Sequence, residues 1–285
     1  QVLSTSSKSA PLSQTPLTVS SVTGGSGTGA LSITSVANGT ATGCAWDGTT
    51  LTATSAGTCT LTITKAQDDN YSAATTTATF TFTTATLATP SAPSASATSN
   101  TLKSIAVSWS AISNASSYTL KLYNSSNTLL ATIASLSGTS RTITTSDYAS
   151  LADNTAYKVS ITAIGDGSIY LSSSESTKSD VTTNAAPVTP TISSQPANAS
   201  ATYNATATFS VSATASDSGS LSYQWQVNTG SSWSDIAGAT DSSYTTAALA
   251  MSANNYQYRV NITNTKNGAT SSAVTSSAAT LTMSR

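Results

Sequence analysis

Histidine is missing from this 285-residue chain, and only 7% of its residues carry a charged side chain. Soluble domains average about 25%. Serine and threonine must therefore supply most of the polar surface, while the groups from which most enzyme sites are assembled are scarce. A nucleophilic hydroxyl needs a base beside it, and no imidazole exists to serve as one. A serine–lysine pair would need a buried lysine, and no SxxK sequence stands near a helix start. Glu175 is the only glutamate, and most aspartates sit in turn-like sequences, which leaves little for the paired carboxylates of a glycosidase.

Other absences narrow the class further. A net charge of −1 offers no electrostatic footprint for phosphate, so a nucleic acid partner is not expected. No run of about 20 apolar residues occurs, which argues against insertion into a membrane as a helix. The helix formers Glu, Lys and Arg are few, whereas Thr, Val, Ile and Tyr, which suit a pleated half-buried surface, are plentiful. Apolar and small polar residues alternate in stretches such as Leu61-Thr-Ile63 and Phe80-Thr-Phe82. Period two predicts strands. The fold class is all-β, with short strands punctuated by Gly, Asn, Asp and Ser, as in sandwiches with two sheets around a core.

Two stretches break the alternation. TLATPSAPSA from Thr86 and NAAPVTP from Asn184 are rich in proline and small residues and read as short linkers. They divide the chain into three segments, 1–87, 91–184 and 188–283, expected to form three sandwiches in tandem as an elongated rod.

The first segment holds both cysteines. AWDGTTL between Cys44 and Cys59 reads as strand, turn and strand with Asp47-Gly48 at the bend. The cysteines are expected to form a disulfide; closing a loop of about 15 residues is worth about 3 kcal/mol in the chain-entropy model. The competing reading is two buried thiols. Without histidine, two cysteines cannot make an ordinary zinc site. The runs GGSGTGALSITSVANGTATGC and GTTLTATSAGTCTLTITKAQDDNYSAA resemble the bacterial Ig-like repeat of secreted surface proteins. The resemblance rests on the glycine-rich entry Gly24 to Gly29, the cysteine pair, and the DxNY turn Asp68 to Tyr71. It implies a module, not an activity.

The second segment carries Trp109 in SIAVSWSAISNASSYTLKLY and, in LADNTAYKVSITAIG, Leu151, Tyr157, Val159, Ile161 and Ala163 in strand alternation. It resembles a fibronectin type III domain. That resemblance implies that Trp109 fills the core between sheets and that Tyr157 forms a tyrosine corner tying a crossover to the sandwich. No RGD-type motif is present, so receptor contacts are not implied. The third segment, with ATFSVSA, LSYQWQV and NNYQYRVNITN in order, resembles a bacterial immunoglobulin-like domain. Trp225 would then be the core tryptophan, and Tyr258-Arg-Val260 falls where many such domains carry Tyr-x-Cys. Val211 or Phe209 would oppose it, with apolar packing in place of an inter-sheet disulfide.

Candidate sites are few. Asp68, Asp69 and Asn70 form the densest oxygen cluster, yet one short turn cannot offer the six to eight oxygens that calcium wants; a solvated turn is the favoured reading. Lys65, Lys121 and Lys158 are candidates on strands for a covalent Lys–Asn bond, ranked low because carboxylates are sparse. Trp46 and Trp233 lie in loop-like contexts where a ring could stack on a sugar, or fold over a sandwich end. No catalytic residue, metal ligand or cofactor site is expected.

The disulfide and the tandem modules suggest an extracellular, secreted or cell-surface setting. The chain begins at Gln1 with no leader, which reads as a mature product or part of a longer protein. Asn-x-Ser/Thr sequons, as at Asn38, Asn198 and Asn261, arise easily in so Ser/Thr-rich a chain. The expected function is a non-catalytic structural or adhesive protein, a subunit or segment of a surface filament or layer. Self-association is expected because uncharged stretches such as Ala73 to Thr86 could accept a strand from a neighbour. The N-terminal segment reads as a strand of its own chain in preference to a donated one. Alternatives are accessory spacer or glycan-binding modules of a secreted polysaccharide-active enzyme, and a phage fibre or decoration protein.

Overall fold

The computed structural model describes residues 3–4, 7–19 and 23–285. Among these residues the chain is all-β: the helical elements are two three-residue 3-10 turns, Leu12–Gln14 and Met251–Ala253. The chain divides into two compact units. One gathers Gln1–Ala95, Val107–Arg141 and Lys158–Asp180, and the other Ser96–Ala106, Thr142–Tyr157 and Val181–Arg285.

In the first unit a four-stranded sheet runs in the order Lys8–Pro11, Ala74–Thr83, Gly57–Lys65, Leu31–Asn38. A three-stranded sheet, Leu17–Thr18, Thr50–Thr52, Ala45–Trp46, accompanies it. Strand periodicity explains the core directly. Cys59, Leu61 and Ile63 alternate inward along one strand, Ala78, Phe80 and Phe82 along the next, and Leu12 and Leu51 join them. Each large apolar side chain buried in this way contributes about 1.5–3 kcal/mol. Gly57, at φ +133°, passes so close to Thr40 and Ala41 that a Cβ would strike their backbone at 2.4 Å.

The uncharged stretch Ala73 to Thr86 is not an edge. Ala74–Thr83 has a neighbour on each side, because Lys8–Pro11 returns parallel to it while Gly57–Lys65 lies antiparallel. The N-terminal segment therefore fills its own chain's sheet, and Leu3–Ser4 pairs likewise with Thr23–Gly24.

The middle of the chain supplies a sheet in the order Leu129–Leu136, Ser117–Asn124, Ala156–Ile164, Ser179–Thr182, and another of Ser94–Ala97, Ile105–Ser108, Ser140–Ile143. In the second unit the principal sheet runs Ala199–Thr202, Ala279–Ser284, Gln257–Lys266, Ser220–Asn228, Trp233–Asp235. Its core is aromatic, with Phe209, Trp225 and Tyr258 beside Val260, Ile262 and Leu281.

The proline-rich stretches are fastened. In the first unit Ala85–Thr86 pairs parallel with Tyr170–Leu171, the Leu87 N–H donates to the Leu171 carbonyl at 3.0 Å, and Ile169 packs on the N-terminal core. In the second, the Asn184 side chain donates to the carbonyls of Thr98 (2.8 Å) and Thr101 (2.9 Å). The backbone of Val188 is gripped from both sides: its N–H donates to Asp217 at 3.0 Å, and its carbonyl accepts from Asn264 at 2.9 Å.

Exposed strand edges invite pairing with other chains, and proteins blunt them with charge, proline, shortness or bulges. Three of the short edge strands carry such features. Lys8–Pro11 carries Lys8 and Pro11, Ser179–Thr182 carries Asp180, and Trp233–Asp235 is three residues long with Asp235. The two long uncharged edges, Leu31–Asn38 and Leu129–Leu136, are bulged instead. Thr34 is the extra residue in the first, and its hydroxyl turns back to the Thr62 carbonyl at 3.4 Å. The second has two register shifts, with Ser135 at φ +58° near one of them. Each bulge leaves a residue unpaired and bends the strand, which spoils the edge as a template.

Candidate functional site

Cys44 and Cys59 are joined in a disulfide, with Cα atoms 5.8 Å apart. Cys59 is a core residue and Cys44 lies at its margin, so the bond ties the end of the Ala45–Trp46 hairpin to the larger sheet. The bend between them is set by Asp47, whose carboxylate accepts from the N–H groups of Thr49 (2.8 Å) and Thr50 (2.6 Å) and from the Thr50 hydroxyl (2.6 Å). Those bonds favour the ionised form and lower the Asp47 pKa. Trp46 is half-buried and packs on the same core beside Cys44.

Trp109 is buried and meets Tyr118 edge to face at 5.6 Å. The Tyr157 hydroxyl accepts a hydrogen bond from the Ala152 N–H at 2.9 Å, beside buried Leu151. This is the geometry of a tyrosine corner. Trp225 is wholly buried, and its indole N–H donates to the Asp241 carbonyl at 2.9 Å. Phe209 stacks on Tyr258 with ring centroids 4.4 Å apart, so of the two residues expected on the strand opposing Tyr258-Arg-Val260 it is Phe209 that makes a ring contact there. Burial, with Tyr244 and Tyr256 nearby, pushes the Tyr258 hydroxyl up to about 12.

The sole glutamate is fully engaged. Lys121 donates to Glu175 Oε2 at 2.7 Å, while Tyr123 (2.5 Å) and Ser160 (2.6 Å) donate to Oε1. Burial alone would raise this carboxyl, but the three donors overcome it and bring the pKa from 4.5 to about 2. A carboxylate so held is ionised at neutral pH and cannot act as a general acid there. Lys178 lies over the Tyr123 ring at 3.7 Å and closes the cluster. Its role is that of a polar clamp between neighbouring strands.

Asp68 is likewise occupied by its own backbone. It accepts from the N–H groups of Thr28, Gly29, Asn70 and Tyr71, and these bonds, Asn70 foremost, lower its pKa. It fastens the glycine-rich entry to the DxNY turn. Lys65 donates to the Gly25 carbonyl at 3.2 Å, and Lys158 lies 3.8 Å from Asp180. Among the described residues no group of three Cys, Asp or Glu is placed to share a metal ion.

Trp233 stands on an edge strand with the Arg259 guanidinium 4.2 Å over its ring. Arg259 Nε donates to Gln226 Oε1 at 2.8 Å, and Gln226 Nε2 donates to Asp235 at 2.8 Å. Arg259, Gln226 and Asp235 escaped the sequence reading. Their signal was there: in LSYQWQVN and QYRVN the residues between the inward aromatics are long amides and an arginine, where most of the chain places Ser or Thr.

No protein-family model matches the chain, and no curated protein matches it. Solved structures do. A Fn3-like protein from Clostridium thermocellum is 24% identical over 33% of this chain and 91% of its own, with a TM-score of 0.28. The chicken CNTN1 FN1–FN3 domains are 11% identical over 79% of this chain and 78% of theirs, at 0.35. Sidekick-1 immunoglobulin domains 1–5 are 12% identical over 89% of this chain and 52% of theirs, also at 0.35. These are likenesses to fibronectin type III-like and immunoglobulin-domain proteins, and to their fold alone.

Proposed function

We propose that the chain is a non-catalytic extracellular structural protein, three sandwiches in series over 1–87, 91–184 and 188–283, serving as a segment or subunit of a cell-surface filament or layer. The observation that carries this reading is the fastening of both proline-rich junctions. A spacer meant only to keep domains apart can be slack. Here Ala85–Leu87 is paired with Tyr170–Leu171, and Asn184 and Val188 are held by four side-chain hydrogen bonds. The disulfide suits an oxidising compartment, and among the described residues no helix is long and apolar enough to cross a membrane. Because the long edges are bulged, contacts between copies are assigned to the faces and ends of the sandwiches, with strand addition disfavoured.

Electron microscopy of the purified chain over a range of concentrations tests this. Filaments or sheets are expected; particles that stay single at every concentration would sink the polymer reading. A second reading, accessory modules of a secreted polysaccharide-active protein, is favoured by one surface, the outer face of the sheet that bears Trp233.

A further inference from the structure

The outer positions of the C-terminal sheet form a grid. Across the Ser220–Asn228 and Gln257–Lys266 strands, Asn228 stands opposite Gln257, Gln226 opposite Arg259, and Gln224 opposite Asn261. Asn228 and Gln226 are flanked on the far side by Trp233 and Asp235. Three of the chain's seven glutamines lie in these two columns. A face that needed only to be wetted would be served by hydroxyls. The corresponding face of the N-terminal sheet is indeed threonine in both columns, with Thr58, Thr60 and Thr62 opposite Thr81, Thr79 and Thr77.

The grid is held in place by its own bonds. Besides the Asp235–Gln226–Arg259 chain, Gln224 Nε2 donates to the carbonyls of Trp225 (3.0 Å) and Ile236 (2.9 Å), and the Thr275 hydroxyl donates to Asn261 Oδ1 at 2.7 Å. What these bonds leave over is a mixture: among the described residues the terminal nitrogens of Arg259, Asn261 Nδ2, Gln224 Oε1 and the side-chain amide of Gln257 make no hydrogen bond. Donors and acceptors are interleaved on a half-buried sheet face with an indole at its rim. We propose that this face binds a neutral, hydroxyl-rich polysaccharide.

Sugar hydroxyls both donate and accept, so they can use both kinds of group, and preset side chains lose little entropy on binding. The single guanidinium is balanced by Asp235, so an anionic polymer finds no net charge to follow. A protein partner would be expected to bury an apolar centre, and this face offers one indole. The inference does not depend on the filament reading: single particles that bind glycan would refute only the filament, and filaments that bind none would refute only this face.

The test is retention of the full chain on microcrystalline cellulose, chitin, insoluble xylan and mannan, at low and high salt, with polygalacturonate as the anionic comparison. Retention on at least one neutral polymer, insensitive to salt, is expected. Trp233→Ala and Gln257→Ala should each weaken it by about tenfold or more, the loss of a few hydrogen bonds or a stacking contact. The Gln257 side chain makes no hydrogen bond among the described residues, so its variant keeps the wild-type melting temperature and separates binding from folding. Three outcomes would overturn the proposal: no retention on any neutral polymer, loss of retention in salt, or both variants retained as well as the wild type.

Discussion

The N-terminal and C-terminal sheets solve the same problem with different chemistry. In the first, a disulfide and aliphatic side chains hold the interior, and threonine covers the outer face. In the second, no cysteine is present, Phe209, Trp225, Tyr244 and Tyr258 fill the interior, and amides with an arginine and an indole cover the outside. A crosslink acts mainly on the unfolded chain, whereas aromatic packing acts on the folded one. The comparison teaches that the sandwich needs neither device in particular, and that the outer face is where the two regions diverge in what they can recognise.

The largest effect should come from the aromatic interior. Trp225→Ala removes a wholly buried ring and one hydrogen bond and should cost about 3–5 kcal/mol. Calorimetry should show the C-terminal transition falling while the N-terminal one stays. Cys44→Ser should cost about 3 kcal/mol of N-terminal stability under non-reducing conditions. An unchanged melting temperature would mean that the aliphatic core suffices and that the contrast is overdrawn.

A pH titration sharpens the picture in the middle of the chain. Glu175 is depressed from 4.5 to about 2 in the folded state, so the stability it lends is present above pH 4.5 and is lost as pH falls through that window toward 2. Glu175→Gln should lower the melting temperature at neutral pH and flatten its dependence between those limits. A variant with the same acid limb as the wild type would show that the clamp contributes nothing. A smaller effect is expected at an edge. Deleting Thr34 removes the bulge of Leu31–Asn38 and leaves a long uncharged template, so light scattering should report association that begins at a lower concentration than in the parent chain. Smallest of all, Thr60→Ser on the threonine face should change stability by no more than about 0.5 kcal/mol.

Much of this fold was legible. Alternation marked strands such as Gly57–Lys65, where every second residue from Cys59 is buried, because period two is a local property of the chain. Edges were not legible, because an edge is defined by what fails to pair with it. Ala74–Thr83 reads as unprotected until Lys8–Pro11, some seventy residues earlier in the chain, lies down beside it. The fastening of the junctions was not legible for a related reason: proline and small residues mark a short linker but say nothing of the distant Asp217 and Asn264 that grip Val188. The Trp233 surface was half visible. The indole drew notice as an aromatic in a loop-like run, while its companions Arg259 and Gln226 come together only through the register of three strands.

A structural role is at bottom a mechanical claim, and stretching single molecules from both ends tests it most directly. With the disulfide intact, no soft extension should precede the first rupture, because the junctions are fastened. Reduction should then lengthen the fully unfolded chain by about 45 Å, the 15 residue steps from Cys44 to Cys59 at ~3.4 Å each less the 5.8 Å that their Cα atoms already span. A compliant, low-force extension before any sandwich unfolds would show the junctions to be slack tethers and contradict the account.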